Sequence, residues 1–236
     1  MTPVTIILTV IILLLVYVLY AYMTGTVTNL AKSTSLSVVN LPITDIAGSR
    51  NTRYGYTIWV YVNTWDNNSK KTIFSRNNNI RVYLDDNSPT LKVQLTMNKR
   101  NADNNAYVTD EMIVTKNFPL QKWVCISVSV DNQFVDAYLD GKLVKSHRFY
   151  NNDSGTMPIV PPDASSAPIN LGNSNGSVFD AYVSEFKRSI VPIDPETAWN
   201  NYLEGNGTNA VSRAFSSYGI DVAILKNNVK QTSISF

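Results

Sequence analysis

The sequence predicts an all-β, two-sheet sandwich behind one N-terminal transmembrane helix, with one short helix near the end of the sandwich. Three observations carry this expectation. Val4–Met23 contains no charged residue and as a helix would be about 30 Å long, the thickness of a bilayer's hydrocarbon core. In Trp123–Phe149, Val124, Ile126, Val128 and Val130 alternate with Cys125, Ser127 and Ser129, the two-residue period of a strand with one buried face. Asp140-Gly141 then supplies the positive φ of a two-residue hairpin turn. Pro192–Glu204 carries the signals of a single helix: Asp194 to cap it, Pro195 at its first position and Gly205 to stop it.

Tyr17, Tyr20 and Tyr22 gather at the C-terminal end of the apolar stretch, where an interfacial aromatic belt sits. No Lys or Arg precedes the stretch and it is long for a signal-peptide core, which favours a retained single-pass anchor over a cleaved leader. Lys32, Arg50 and Arg53 follow it, so the positive-inside tendency places the C-terminal region on the cytoplasmic side. Gly25–Arg53 is Ser/Thr-rich and reads as a linker or an early strand through Leu36, Val38 and Val39. Strands are expected over Tyr54–Trp65, Lys71–Ser75, Ile80–Leu84, Leu91–Met97 and Glu111–Thr115. Leu91, Val93, Leu95 and Met97 alternate cleanly with Lys92, Gln94 and Thr96. Ala102–Tyr107 and the Pro-rich Asn151–Pro168 read as loops. Ile169–Gly172 and Val178–Ile190 restore the strand pattern. Trp199, Tyr202 and Leu203 recur at helical spacing and are expected to pack the short helix on the sandwich. In the tail, Ile220, Val222 and Ile224 alternate, and Asn227-Asn228 could close a last hairpin. The domain division expected is 1–24 anchor, 25–52 linker or early strand, 53–205 sandwich and 206–236 β-rich tail.

With 236 residues, 16% of them charged, and a net charge of +2, the chain lacks the clustered basic charge that nucleic-acid binding needs. Its one cysteine, Cys125, forbids an intramolecular disulfide, and a lone free thiol fits a reducing compartment. The one histidine, His147, stands on another predicted strand, so no Cys–His couple is expected. Asp85-Asp86 is the weak metal candidate, but a hard cation needs more placed oxygens and the pair reads as a turn. No cofactor is expected. Sequons stand at Asn67, Asn152, Asn175 and Asn206 and would be used only in the secretory lumen.

Four pieces read together are more specific: Ile58-Trp59-Val60, then Gln121-Lys122-Trp123-Val124, then Ala137-Tyr138-Leu139-Asp140-Gly141, then Ile169-Asn170-Leu171-Gly172. With Phe179–Ile190 and the helix after Pro192, their order resembles the laminin-G-like, concanavalin A-like jelly roll over about Arg53–Gly205. One departure is Ala181, where that family often has Gly. The resemblance implies sugar binding, glycoside hydrolysis or protein contact. The hydrolases of this fold carry an E-x-D-x-x-E strand, and Glu111, Glu185, Glu196 and Glu204 do not stand in that spacing, so an enzyme is not expected. One membrane span, a sandwich without catalytic residues and a β-rich tail together are similar to membrane-anchored minor capsid proteins of large icosahedral DNA viruses of algae and protists. That likeness implies a structural protein in the virion's inner membrane, with its sandwich on the capsid side. Its partners would be the lipid bilayer and other capsid proteins, with Ile220, Val222 and Ile224 in a partner-binding tail. The alternative is a membrane-tethered lectin, with Trp65 or Tyr107 stacking on sugar rings. A glycan is the less favoured partner.

Overall fold

The computed structural model describes residues 3–23, 25–46, 51–67, 70–100, 107–149, 167–173, 178–207, 221–226 and 229–235. Helix α1 is Pro3–Met23. The strands are β1 Val27–Ser35, β2 Arg53–Val62, β3 Lys71–Arg76, β4 Ile80–Leu84, β5 Leu91–Arg100, β6 Tyr107–Thr115, β7 Trp123–Asp131, β8 Phe134–Leu139, β9 Lys142–Arg148, β10 Ile169–Leu171 and β11 Ala181–Ser189. Helix α2, Pro195–Glu204, and the tail strands β12 Asp221–Lys226 and β13 Val229–Ser235 follow. A six-stranded sheet, β1-β11-β2-β7-β8-β9, faces a five-stranded sheet, β10-β3-β4-β5-β6, and every pairing is antiparallel. The tail strands form a separate two-stranded sheet.

The core between the sheets follows from alternation. Tyr56, Ile58 and Val60 of β2 and Val124, Ile126 and Val128 of β7 meet Val82, Leu84, Val93 and Leu95 of the other sheet in one buried cluster. Tyr56, Phe74 and Phe186 pack as a trio with ring centres 4.9 to 5.9 Å apart, within the range of favourable aromatic pairs.

The six-stranded sheet departs from the half-buried expectation. Cys125, Ser127 and Ser129 are as buried as the valines between them, because the segment 190–194 and helix α2 cover the outer face. The Ser129 hydroxyl accepts the Ile193 N–H at 2.8 Å. Ser127 and Thr57 share a hydroxyl hydrogen bond of 3.0 Å, and the Asn201 amide donates to Thr57 at 3.1 Å. Small polar side chains are satisfied there by the covering segment, so burial costs them little. The cap residues of α2 behave as their chemistry dictates. Asp194 accepts the Thr197 N–H at 2.7 Å, and Gly205, at φ 76°, donates to the Tyr202 carbonyl. The expected packing holds for Tyr202, which stacks on Trp59 at 5.6 Å, and for Trp199, whose ring passes over Gly141 while half exposed; Leu203 is exposed, and Ala198 is buried in its place.

The Tyr138–Gly141 motif is explained by the same helix. Tyr138 is buried beneath Ile193 and donates to its carbonyl at 3.4 Å. The Asp140 carboxylate accepts the Cys125 N–H at 2.9 Å. Asp140 and Gly141 have φ of 48° and 75°, as a two-residue primed turn requires. A Cβ on Gly141 would lie 2.8 Å from the Trp199 ring, so glycine is also needed for the close passage of α2.

Before Arg53, the chain is already part of the sheet. β1 pairs with β11 along an edge, and Leu36 is buried. The strand lies at Val27–Ser35 rather than around Leu36–Val39, where Val38 and Val39 are exposed. Among the described residues no helix is long and apolar enough to cross a membrane, so the span expected over Val4–Met23 is not shown. The backbone of α1 is helical from Pro3 to Met23, and its side chains from 7 to 17 are exposed on every face.

Candidate functional site

The outer face of the five-stranded sheet is polar and uncovered by secondary structure among the described residues. Its registers line up one row across all five strands: Asn170 opposite Ser75, Ser75 opposite Arg81, Arg81 opposite Gln94, and Gln94 opposite Glu111. A second row runs through Thr72, Tyr83, Lys92 and Ile113. These residues point away from the core because Ile80, Val82 and Leu84, and Leu91, Val93 and Leu95, take the alternate positions.

Two features occupy this face. The first is an open groove of about 680 Å³ lined by Ser75, Arg81, Gln94, Thr96, Thr109 and Asn170 among others. Arg76 forms part of its wall and donates through Nε to the Ala167 carbonyl at 3.0 Å. Arg81 is held in place: its Nε and one terminal nitrogen donate to the Thr72 hydroxyl at 3.0 and 2.9 Å, and its guanidinium lies 4.2 Å from the Tyr83 ring centre. The groove can offer hydrogen-bond donors and positive charge. None of its lining residues is aromatic.

The second is a charge cluster beside the groove. Lys92 Nζ lies 2.9 Å from Asp85 and 3.2 Å from Glu111, and the Tyr83 hydroxyl donates to Glu111. Lys92 is raised above its ordinary value, first by the hydrogen bond to Asp85. Asp85 is lowered, first by that same bond, and Glu111 is lowered, first by the Tyr83 hydroxyl. Burial and then Glu111 push Tyr83 up to about 12. Each carboxylate is thus held as an acceptor by a fixed donor, the reverse of a general acid with a raised value.

Asp85 and Asp86, the metal candidates, are used in the turn after β4. Asp85 accepts the Asn87 N–H at 3.1 Å and pairs with Lys92, while the Asp86 carbonyl accepts Lys71 Nζ at 3.1 Å. Among the described residues no group of three His, Cys, Asp or Glu could hold a metal. Cys125 is buried, and desolvation followed by the Asp140 carboxylate pushes its thiol up to about 12. His147 packs edge-on against Phe149 at 4.6 Å. Trp65 is not an open stacking platform: it is partly buried against the core, its Nε1 donates to Asn67 at 2.9 Å, and Lys71 Nζ sits 4.4 Å from its ring centre. The side chain of Tyr107, residue Ile220, and the side chains of Val222 and Ile224 lie outside the described residues. The backbone places Val222 opposite Ile234 and Ile224 opposite Thr232 in the tail hairpin.

Residues 35–189 match the family profile Laminin_G_3, described as the concanavalin A-like lectin/glucanases superfamily. The chain belongs to this family. Both sheets of the sandwich fall within that match, save the first eight residues of β1. Ala181, the departure from the family pattern, is fully buried opposite Val62. Among curated protein sequences none matches the chain. Several solved structures share the fold with a TM-score of 0.51. One is a phenylalanine-to-alanine mutant of HCR/D, 14% identical over 73% of this chain and 42% of that one. Another is the receptor binding domain of botulinum neurotoxin mosaic serotype C/D, 13% identical over 76% of this chain and 45% of that one. Domain 4 of AbnA, an extracellular arabinanase from Geobacillus stearothermophilus, in complex with arabinotriose, is 16% identical over 75% of this chain and 87% of that one, with a TM-score of 0.47. The chain spans less than half the length of the first two structures, and at these identities the likeness is one of fold.

Proposed function

We propose that this chain is a membrane-anchored, non-enzymatic structural protein whose sandwich makes protein–protein contacts, as a minor capsid component joining a viral inner membrane to the capsid shell. The observation that carries the reading is α1. It contains no Asp, Glu, Lys or Arg over Pro3–Met23, and its described side chains, Ile7 to Tyr17, are exposed all round. Apolar side chains exposed to this extent favour an apolar surrounding, and the uncharged sequence over Val4–Met23 supports the reading of an anchor. The sandwich supports the non-enzymatic half of the reading: its outer-face carboxylate Glu111 is an ion-paired acceptor, and its thiol is sealed under α2. The separate hairpin β12–β13 is a further surface for strand addition to a neighbour.

The test is fractionation of purified virions. The reading expects the chain to resist high salt and to be released with lipid by detergent. Absence from virions, or release by salt alone, would contradict it.

A second reading, a membrane-tethered lectin, is favoured by the polar groove over Ser75, Arg81, Gln94 and Asn170. It ranks second because sugar rings are usually held against aromatic faces as well as by hydrogen bonds, and this lining has none. Binding of the detergent-solubilised chain to a glycan array, abolished by Arg81→Ala, would reverse the order.

A further inference from the structure

We infer that the end of the six-stranded sheet nearest α1 is a lipid-contacting rim that lies on the bilayer surface and fixes the tilt of the sandwich. This rests on the reading of α1 as a membrane anchor. Only three residues separate Met23, the last of α1, from Val27, the first of β1. Four Cα steps reach about 14 Å at most, so the start of β1 cannot stand far from the headgroups.

Sheet register shows what else lies at that end. Val27 is opposite Ser189, Ser189 opposite Gly55, and Gly55 opposite Ser129. Two residues further out, toward α1, a row crosses four strands: Arg53, Asp131, Phe134 and Arg148. The Ile190 N–H bonds to the Thr26 carbonyl, which puts Val191 beside the same rim. Val27, Phe134 and Val191 are 51%, 47% and 46% exposed, so three apolar side chains face outward where the chain enters the membrane.

The charged groups fit a lipid surface. Arg148 lies 5.6 Å from the Phe134 ring centre and donates through Nε to Gln133 at 3.1 Å. Arg53 holds Asp131 at 2.8 Å, which neutralises the one acid of the row, and the Asn132 amide also donates to that carboxylate. An aromatic ring with a guanidinium on a long stem beside it is the composition of a membrane–water interface. There the ring enters the headgroup layer and the Arg148 cation reaches phosphate. Phe134 stands four strands from β1, about 19 Å across the sheet. Contact at both places therefore requires the rim to lie flat.

The test uses the full chain in vesicles of phosphatidylcholine and phosphatidylserine containing a headgroup-proximal doxyl lipid. A polarity-sensitive fluorophore is attached at Phe134→Cys, at Val191→Cys or at Leu143→Cys. Leu143 is exposed beside the Asp140-Gly141 turn, at the far end of the sheet. The inference expects at least twofold quenching at Phe134 and Val191 and none at Leu143. Quenching at Val191 alone would overturn the flat rim. Absence of quenching at both, in protein that floats with the vesicles, would overturn lipid contact while leaving the anchor standing. Failure to float would remove the anchor reading and this inference with it.

Discussion

Cys125 shows how position overrides residue type. A thiol in a family that includes enzymes invites a nucleophilic reading, yet this one lies under α2 with its acidity suppressed by burial and by Asp140. A thiol reagent at pH 8 should leave Cys125 untouched in the folded chain and modify it once denaturant opens the sandwich. Modification at equal rates in both states would contradict its burial. Lys92 gives a pH-dependent counterpart. The folded-state values of Asp85 and Glu111 lie below their ordinary ones. Their stabilising effect is therefore present above the unfolded carboxylate range, about pH 4, and is lost as pH falls through the lowered values. Lys92 is raised, so its effect is full below its ordinary value and lost as pH rises through the folded one. Lys92→Met should lower the melting temperature most between about pH 5 and 9 and progressively less below about pH 4. A difference independent of pH would show that the ion pairs do not matter.

At the scale of elements, the covering of the six-stranded sheet by 190–194 and α2 is the feature with the sharpest consequences. Gly55 lies in β2 directly beneath Ile193, and a Cβ there would fall 2.4 Å from the Ile193 side chain. Gly55→Val should destabilise the sandwich by about 1–3 kcal/mol through overpacking. The loss should shrink in an Ile193→Ala background, as read by denaturant unfolding of the four-member cycle. An unchanged loss would mean that strand geometry, not the covering segment, requires glycine.

Turns and caps were legible in the sequence because their signals are local. Asp140-Gly141 announced its hairpin, and Asp194, Pro195 and Gly205 marked both ends of α2. What lay beyond reading depends on register. β1, with the sequence VTNLAKSTS, has no alternation of its own and is held to β11 through its backbone. The face α2 presents was legible only in part from Trp199, Tyr202 and Leu203, since Leu203 is exposed. The residues that matter most are a buried Ala198, a glycine and three hydroxyls on other strands. The groove is similar: Ser75, Arg81, Gln94 and Asn170 are ordinary outward polar residues until four pairings bring them into one row.

For the whole molecule, the sandwich is a family fold, and its most unusual feature is what it is joined to. α1 exposes apolar side chains in every direction and passes within three residues into the sheet edge. On the proposed reading, a chain so built is a tether with a binding head. The most direct measurement is flotation of the expressed full chain with phospholipid vesicles after alkaline carbonate extraction, beside a chain lacking residues 3–23. The account predicts that the full chain floats and the shortened chain stays in the dense fraction. Extraction of the full chain by carbonate, or flotation of both, would contradict it.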